Sequence, residues 1–272
     1  MPTDNPFQPP KTEVLDHLSA PGKAAAEPRK CPAGQGWAWV IEGFGLFSRA
    51  PLIWMVIIVI FGVISVLLSL VPLVSLLNFP LSILFAGGLM LGCDALDRGE
   101  DLTVGHLFAG FSTQAASLVG LGALYLGAAV LISMILGGVG WMFEDRIGVF
   151  MAQLQQGVIN PVSLQQIIVI ISGLLLLGML LFSPVLMAVW FAPALIVLQR
   201  KPTLEAATLS LQACMKNWLP FLVYGLLATL LLLMAMVPLG LGLLIVVPAL
   251  TASVYASYKD IFIQADKAGV MQ

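Results

Sequence analysis

Six apolar windows, each long enough to cross a membrane, follow one another along the chain. A helix rises about 1.5 Å per residue, so about 20 apolar residues cross roughly 30 Å of hydrocarbon. The predicted spans cover residues 52–71, 73–93, 115–138, 172–195, 219–237 and 239–258. The sequence therefore predicts an all-α, polytopic membrane protein with six transmembrane helices.

The predicted spans group into three helical hairpins. The triplet Val-Pro-Leu joins the first two spans at 71–73 and the last two at 237–239. The second hairpin differs because residues 141–165 are inserted at its outer turn, and part of this insertion is expected to lie on the outer membrane surface as an interfacial helix. The second span of each hairpin has an interior proline, at Pro80, Pro184 and Pro248. These similarities predict three related hairpins.

Amphipathic stretches precede the first and the fifth span, and both predict helices lying in the headgroup layer on the cytoplasmic face. Their apolar residues recur at helical spacing. The predicted apolar faces are Trp37, Val40, Ile41, Phe44 and Phe47 over 36–49, and Leu204, Ala207, Leu211, Met215 and Trp218 over 203–218. The residues predicted to form an interaction face are Trp37, Trp39, Glu42, Phe44, Glu205 and Trp218.

The two ends of the chain differ in character from its middle. Residues 1–35 are rich in proline and polar residues and contain no apolar run typical of a signal peptide. This segment is predicted to be a disordered cytoplasmic tail because it has too little apolar surface to offset the entropy of ordering. Residues 36–263 are predicted to form the six-span domain, and residues 264–272 a short C-terminal tail.

Composition supports the membrane interpretation. Residues of the apolar set make up 60% of the chain and charged residues only 10%, whereas soluble domains are nearer half apolar and a quarter charged. The net charge of -2 provides no basic face for a nucleic acid, so a nucleic-acid partner is excluded. The bilayer itself is the first expected partner.

The distribution of Lys and Arg predicts the orientation. With six spans, one side of the membrane receives both termini and the 94–114 and 199–218 loops, together with every Lys and Arg except Arg146. Cytoplasmic loops carry an excess of these residues. Both termini are therefore expected in the cytoplasm.

The sequence contains little that indicates chemistry. None of the six predicted spans contains an ionisable Asp, Glu, Lys, Arg or His, the groups that most often mark function at membrane depth. The chain has no H-E-x-x-H, G-x-S-x-G or P-loop motif. Cys31, Cys93 and Cys214 are too widely spaced to suggest a disulfide framework or a zinc site. No catalytic residue, metal site or cofactor is predicted, and the protein is not expected to be an enzyme.

Asn78 and the interior prolines are the candidates for a cavity or for helix kinks. Proline frees a backbone carbonyl and bends a helix, which in transporters lines a mid-membrane cavity and elsewhere gives a fixed kink. Asn78, beside Phe79 and Pro80, is the most polar residue within the spans. Both interpretations of Asn78, Pro80, Pro184 and Pro248 stay open at this point.

Two further motifs lie at the end of the second predicted span. Gly88 and Gly92 match the G-x-x-x-G pattern of closely packed membrane helices, within one chain or between copies. If the helix continues past Asp97, Asp94, Asp97 and Asp101 share one face at i, i+3 and i+7. Such a weak acidic cluster would suit a divalent cation or a basic partner segment, and a solvated loop is the alternative.

Three segments at the cytoplasmic edges resemble an uncharacterised family of proteobacterial inner-membrane proteins. They are Gly36-Trp37-Ala38-Trp39, the stretch 92–101 with its sequel 105–111, and the ending Tyr255–Phe262. The likeness covers roughly residues 34–263. The resemblance implies a bacterial inner-membrane location and a six-span topology. It supplies no reaction and no catalytic residue.

Two functions fit these observations. The first is a non-catalytic accessory or organising subunit that acts through protein or lipid interaction, with another membrane protein or a second copy of itself as partner. Two in-plane helices, a flexible tail and spans without charge favour it. The alternative is a carrier of a lipid or small amphiphile through a proline-kinked helical bundle.

Overall fold

The computed structural model describes residues 27–71, 74–158 and 160–263. Most of the predicted N-terminal tail, the C-terminal tail and the centre of the 71–73 turn lie outside these residues. Every regular element within the described ranges is a helix. The helices are α1 Gln35–Arg49, α2 Pro51–Ser69, α3 Asn78–Asp97, α4 Gly105–Phe108, α5 Ala115–Trp141, α6 Glu144–Gln155, α7 Pro161–Trp190, α8 Ala192–Gln199, α9 Thr203–Lys216, α10 Trp218–Met236 and α11 Leu243–Phe262, with 3-10 helices at Val74–Leu77 and Ala109–Phe111.

The all-α membrane architecture is confirmed. Five helical stretches of the described residues are long and apolar enough to cross a bilayer, namely α2, α3, α5, α7 with α8, and α10. Helix α11 occupies the place of the sixth predicted span, but it is not one of these five, and Lys259 and Asp260 stand in its last turn. The structure thus supplies five candidate spans where the sequence predicts six.

The fourth span begins earlier than predicted, at Pro161 instead of residue 172. The side chain of Asn160 accepts a hydrogen bond from the Val162 amide and Pro161 occupies the first helical position, which together give a strong helix start. The helix breaks at Phe191, before α8. Pro193 causes this break because it lacks an amide hydrogen and its ring clashes with the carbonyl four residues earlier.

The faces through which the amphipathic helices pack coincide only in part with the predicted apolar faces. The buried residues of α1 are Gly36, Trp39, Val40, Gly43, Leu46 and Phe47, and those of α9 are Ala206, Ala207, Ser210, Ala213 and Cys214. Trp37, Ile41, Leu204 and Met215 are exposed instead. Small residues face the bundle because they let helix backbones approach closely, and many large apolar side chains of the predicted faces point outward.

Three close crossings join successive parts of the bundle. Gly43 of α1 lies against Ala249 and Ser253 of α11, and Gly110 lies against Leu84 and Gly88 of α3, with no room for a Cβ atom in either place. In the third crossing, the Ser210 hydroxyl donates to the Met187 carbonyl at 2.6 Å and accepts from the Phe191 amide at 2.9 Å. In each crossing, a residue of one segment thus contacts a backbone carbonyl of the neighbouring helix and the backbone amide four residues after that carbonyl.

The buried core lies at one end of the bundle. Most of it comes from three segments, namely the second half of α3, residues 192–197 of α8 and the second half of α11. Toward the other end the helices separate, so that Trp54 and Ile57 near its start are the buried residues of α2. Helix α6, within the predicted insertion, has no buried residue, and Gln153 attaches it to the start of α7 by accepting from Ser163.

Candidate functional site

Charged residues of α3 and α11 meet at the end of the bundle that holds the core. The Lys259 ammonium donates to Asp97 at 2.6 Å, and the Tyr255 hydroxyl donates to Asp94 at 3.0 Å. Arg98 forms a second ion pair with Asp94, at 3.1 Å. The basic group that faces these two acids thus comes from the same chain, and the contacts join the ends of two helices far apart in sequence.

The predicted three-acid face does not form. Helix α3 ends at Asp97, and Gly99 adopts a φ of 81°, a left-handed conformation that glycine tolerates and that turns the chain away. Asp101 consequently lies in the following loop, apart from Asp94 and Asp97. Within the described residues no group of three or more His, Cys, Asp or Glu side chains is arranged to hold a metal ion.

A second polar cluster binds the segment that precedes α1. Arg29 pairs with Asp260, whose carboxylate also accepts a hydrogen bond from the Trp39 indole at 3.0 Å. Asn217, fully buried between α9 and α10, accepts from the Cys31 amide at 2.7 Å and donates to the Arg29 carbonyl at 2.9 Å. We call Arg29–Cys31 the N-terminal strap. The prediction of a disordered segment up to residue 35 is wrong for this strap.

The pKa values of Cys31, Cys214 and Glu42 are raised. Burial and the Asp260 carboxylate raise the pKa of the Cys31 thiol to about 11, against the opposing effect of Arg29. Burial raises the pKa of Cys214 to about 12. Both thiols are therefore protonated at neutral pH and are poor nucleophiles. Desolvation also raises the pKa of Glu42, with Lys259 nearby acting in the opposite direction.

The structure separates the residues of the predicted interaction face. Trp37 and Trp218 are exposed, as expected for a surface that meets headgroups or a partner. Trp39 is wrongly placed in the prediction, because it is fully buried and bonded to Asp260. Glu205, in the first turn of α9, pairs at 2.6 Å with Lys201, which lies just before that helix. Phe44 is half-buried and packs against the core.

The predicted cavity and kink residues have different partners. Asn78 donates to the Ser65 carbonyl at 3.1 Å and to the Ser69 hydroxyl at 2.9 Å, which ties α3 to α2. Pro80 lies against Gly122 of α5. Pro248 is buried within α11. Pro184 follows Ser183, which lines an apolar groove of ≈ 500 Å³ between α5 and α7.

Gly88 and Gly92 pack within the chain. Gly88 lies against the carbonyls of His106 and Leu107, and Gly92 lies against the side chains of Leu102 and His106. Because both residues lack a side chain, the segment between α3 and α5 can approach α3 closely. The close contacts of these two glycines are thus made with α4 and with the loop before it, within the same chain.

A larger cavity of ≈ 800 Å³ lies where α1 turns into α2, against the loop that follows α3. Arg49 is on its wall and donates to the Leu96 carbonyl at 2.7 Å. Sequence patterns do not reveal this cavity, the N-terminal strap or Asn217. The available signal is that Arg49, Asn217, Lys259 and Asp260 all stand where an apolar run begins or ends.

Comparison with known proteins identifies the family. A protein of Burkholderia thailandensis, named a probable inner membrane protein, is 31% identical over 232 residues, which cover 82% of each chain. The chain belongs to this inner membrane protein family. No protein-family model matches the chain, and no solved structure does. The inner-membrane location implied by the resemblance in the sequence thus agrees with a relative that covers most of the chain.

Proposed function

We propose that this inner membrane protein is a non-catalytic accessory or organising subunit that binds a partner through the sides of its spans. The proposal rests on the observation that most residues of these spans are not buried by other parts of the chain. In the most apolar windows of α2, α5, α7 with α8, and α10, only 11%, 22%, 17% and 17% of the residues are buried, against 61% in α3. These faces are left for lipid, another membrane protein or a second copy.

We further propose a six-span topology built from three related hairpins, with α11 as the sixth span. Packing order supports it. Helix α4 and its 3-10 extension pack on α3, α9 packs on α7 and α8, and α1 packs on α11. In each case the helix that precedes a hairpin lies on the second span of the previous hairpin, and α1 closes the ring. The carbonyl and amide pattern at Gly43, Gly110 and Ser210 is the same in all three.

Contacts at the core end support a common side for both termini. Arg49, just before α2, bonds to Leu96 at the end of α3, and Gln199 at the end of α8 donates to Tyr258 at 3.0 Å. The starts of first spans and the ends of second spans therefore meet at one end of the bundle. Of the nine Lys and Arg among the described residues, all but Arg146 lie in segments at this end, which favours the cytoplasm.

A non-catalytic role is supported by what the polar groups do. Asp94, Asp97, Asp260 and Asn217 bond to groups of the same chain at the core end. The Cys31 and Cys214 thiols are held protonated. Such groups stabilise contacts between helix ends, and the Cys31 thiol, which donates to Asp260 at 3.6 Å, is buried as well as protonated.

Site-specific photocrosslinking in native membranes tests the proposal. A photoreactive residue is placed in turn along the exposed faces of α2, α7 and α10, for example at Leu226, which is 67% exposed. A partner would give an adduct of one constant mass at positions three and four residues apart on one face. A bulky Leu→Trp change at those positions would abolish the adduct, since packed partners tolerate added volume poorly and fluid lipid tolerates it well. Lipid adducts alone at every position would refute the proposal.

The groove between α5 and α7 favours the carrier as a second candidate. It is lined almost entirely by apolar side chains, including Leu136, Leu174 and Phe182, and it adjoins Pro184 in α7. An acyl chain fits such a surface. Gly178→Leu would fill the groove from within, whereas Gly225→Leu on α10, where a Cβ meets open space, is the matched control. Transfer of a labelled lipid between leaflets of proteoliposomes should fall only in the first variant.

A further inference from the structure

The cavity between the α1–α2 turn and the loop after α3 combines one cationic and two acidic side chains with an apolar wall. Its lining comprises Arg49–Ile53 on one side and Leu96 with Gly99–Leu102 on the other. We call it the Arg49 cavity. Its volume is ≈ 800 Å³, enough for a phospholipid headgroup and the start of its chains.

Arg49 is positioned to bind an anion in this cavity. One of its guanidinium nitrogens donates to the Leu96 carbonyl at 2.7 Å, which holds the side chain in place. Among residues 27–71, 74–158 and 160–263, no carboxylate forms an ion pair with it. A guanidinium fixed by one nitrogen still has donors in the planar arrangement that matches a phosphate.

Two carboxylates line the opposite wall. Glu100 pairs with Arg98 at 3.2 Å, and Asp101 has no ion-pair partner in the described part of the chain. A ligand that enters the Arg49 cavity therefore meets one cation and, across from it, acids with unused acceptor capacity. A purely anionic ligand would be repelled by that second wall.

The Arg49 cavity lies at the level where charged residues give way to a membrane span. Pro51 begins α2, and Leu52 is 74% exposed at the cavity wall. From Leu52 an exposed apolar stripe continues along α2 through Val56, Val59, Val63 and Val66. Headgroup-level charge above a continuous apolar stripe is the arrangement that a bound phospholipid requires.

The corresponding turn between α9 and α10 is bridged by a side chain. There the Asn217 side chain bridges the turn to the N-terminal strap by hydrogen bonds to Cys31 and Arg29. At the α1–α2 turn the residue in the same place is Ala50, which lines the cavity and carries no polar group. The two turns thus differ in that a side chain bridges one of them and not the other.

We propose that the Arg49 cavity binds a phosphatidylethanolamine molecule of the surrounding leaflet. Its phosphate accepts hydrogen bonds from Arg49, its ammonium group donates to Asp101 and Glu100, and one acyl chain follows the exposed stripe of α2. Phosphatidylglycerol places hydroxyls, and no cation, beside the acids. Phosphatidylcholine has no N–H group to donate. The site is therefore expected to prefer phosphatidylethanolamine over both.

Native mass spectrometry of the full chain tests this assignment. The protein is reconstituted in nanodiscs with equal parts of phosphatidylethanolamine, phosphatidylglycerol and phosphatidylcholine and then released with a mild detergent. We expect retained phosphatidylethanolamine above its share in the nanodisc. Glu100→Gln with Asp101→Asn should lower its preference over phosphatidylglycerol about tenfold, the effect of losing roughly one charge-assisted hydrogen bond.

Two further variants separate binding from folding. Ala50→Phe fills the Arg49 cavity and keeps every charge, so it should release the lipid without lowering the melting temperature of the detergent-solubilised protein. Asp145→Asn with Arg146→Gln on α6 removes an acid and a base away from the cavity and should change nothing. Retained lipid that mirrors the nanodisc mixture, or acid variants that keep the full preference, would overturn the assignment. This outcome is independent of the crosslinking result, so either proposal can fail alone.

Discussion

Asn217 holds the N-terminal strap on the bundle, and its removal should release the strap. The Asn217 side chain is fully buried, accepts from the Cys31 amide at 2.7 Å and donates to the carbonyls of Arg29 and Ala213 at 2.9 and 3.0 Å. Asn217→Ala leaves the Cys31 amide without a partner. The Ala213 carbonyl keeps its bond to the backbone amide of residue 217, so the loss falls mainly on the strap.

The expected cost is about 2 kcal/mol, since a buried donor left unpaired costs roughly 1–3 kcal/mol. That free energy corresponds to a roughly thirtyfold rise in the open population of the strap. Cys31, only 5% exposed, reports this opening through its rate of labelling by a maleimide. The assay uses a chain in which Cys93 and Cys214 are replaced by alanine. Release also lowers the pKa of the Cys31 thiol toward its ordinary value, which acts in the same direction.

Asn160→Ala provides the matched control for this experiment. Asn160 caps α7 by accepting from the Val162 amide, in a part of the chain that has no contact with the strap. Its replacement should leave the Cys31 labelling rate unchanged. If Asn217→Ala labels no faster than the parent chain, or if Asn160→Ala labels equally fast, the strap is not held as described.

Three further predictions concern the core end of the bundle. Gly43→Leu should lower the free energy of unfolding by about 3 kcal/mol or more, because the added side chain meets backbone atoms of α11, whereas Gly45→Leu, which meets open space, should have little effect in the same thermal melt. A double-mutant cycle of Asp97→Asn and Lys259→Met should give a coupling of about 1 kcal/mol, as expected for a half-exposed pair; additivity would contradict the ion pair. The folded pKa of Cys31 lies above its unfolded value, so the folded chain holds the thiol proton longer, and stability should fall as pH rises from 9 to about 11; Cys31→Ala should flatten that part of the pH profile.

The sequence predicts the bounds of two of the five candidate spans to within two residues, because bilayer thickness dictates their length. The predicted span 219–237 corresponds to α10 at Trp218–Met236, and 52–71 corresponds to α2 at Pro51–Ser69. The start of α7 is misjudged because polar residues near Gln165 suggest a loop, although the Asn160 cap has already begun the helix. Local polarity and helix capping thus give different answers at that boundary.

The faces of α1 and α9 could not be predicted from hydrophobic periodicity alone. In water, large apolar residues mark the packed face, but a helix that borders lipid can point them outward and pack through glycine, alanine and serine. Gly43 and Ser210 mark the packed faces of the two helices. A sequence pattern identifies these faces only if small residues, and not large apolar ones, are taken as the contact residues. The strap lies further out of reach, since Arg29 and Asp260 are 231 residues apart and no local pattern links them.

The packing of α1 on α11 also determines when the protein can finish folding. Among the described residues, the first helix, α1, has its glycine face covered by the last, α11, and about 200 residues separate them. At roughly 5–20 residues per second, synthesis of the intervening chain takes about 10–40 s. During that interval α1 is present without α11, the helix on which it packs. Completion therefore depends on the final helix leaving the ribosome, and a chain that stops before α11 leaves the ring open.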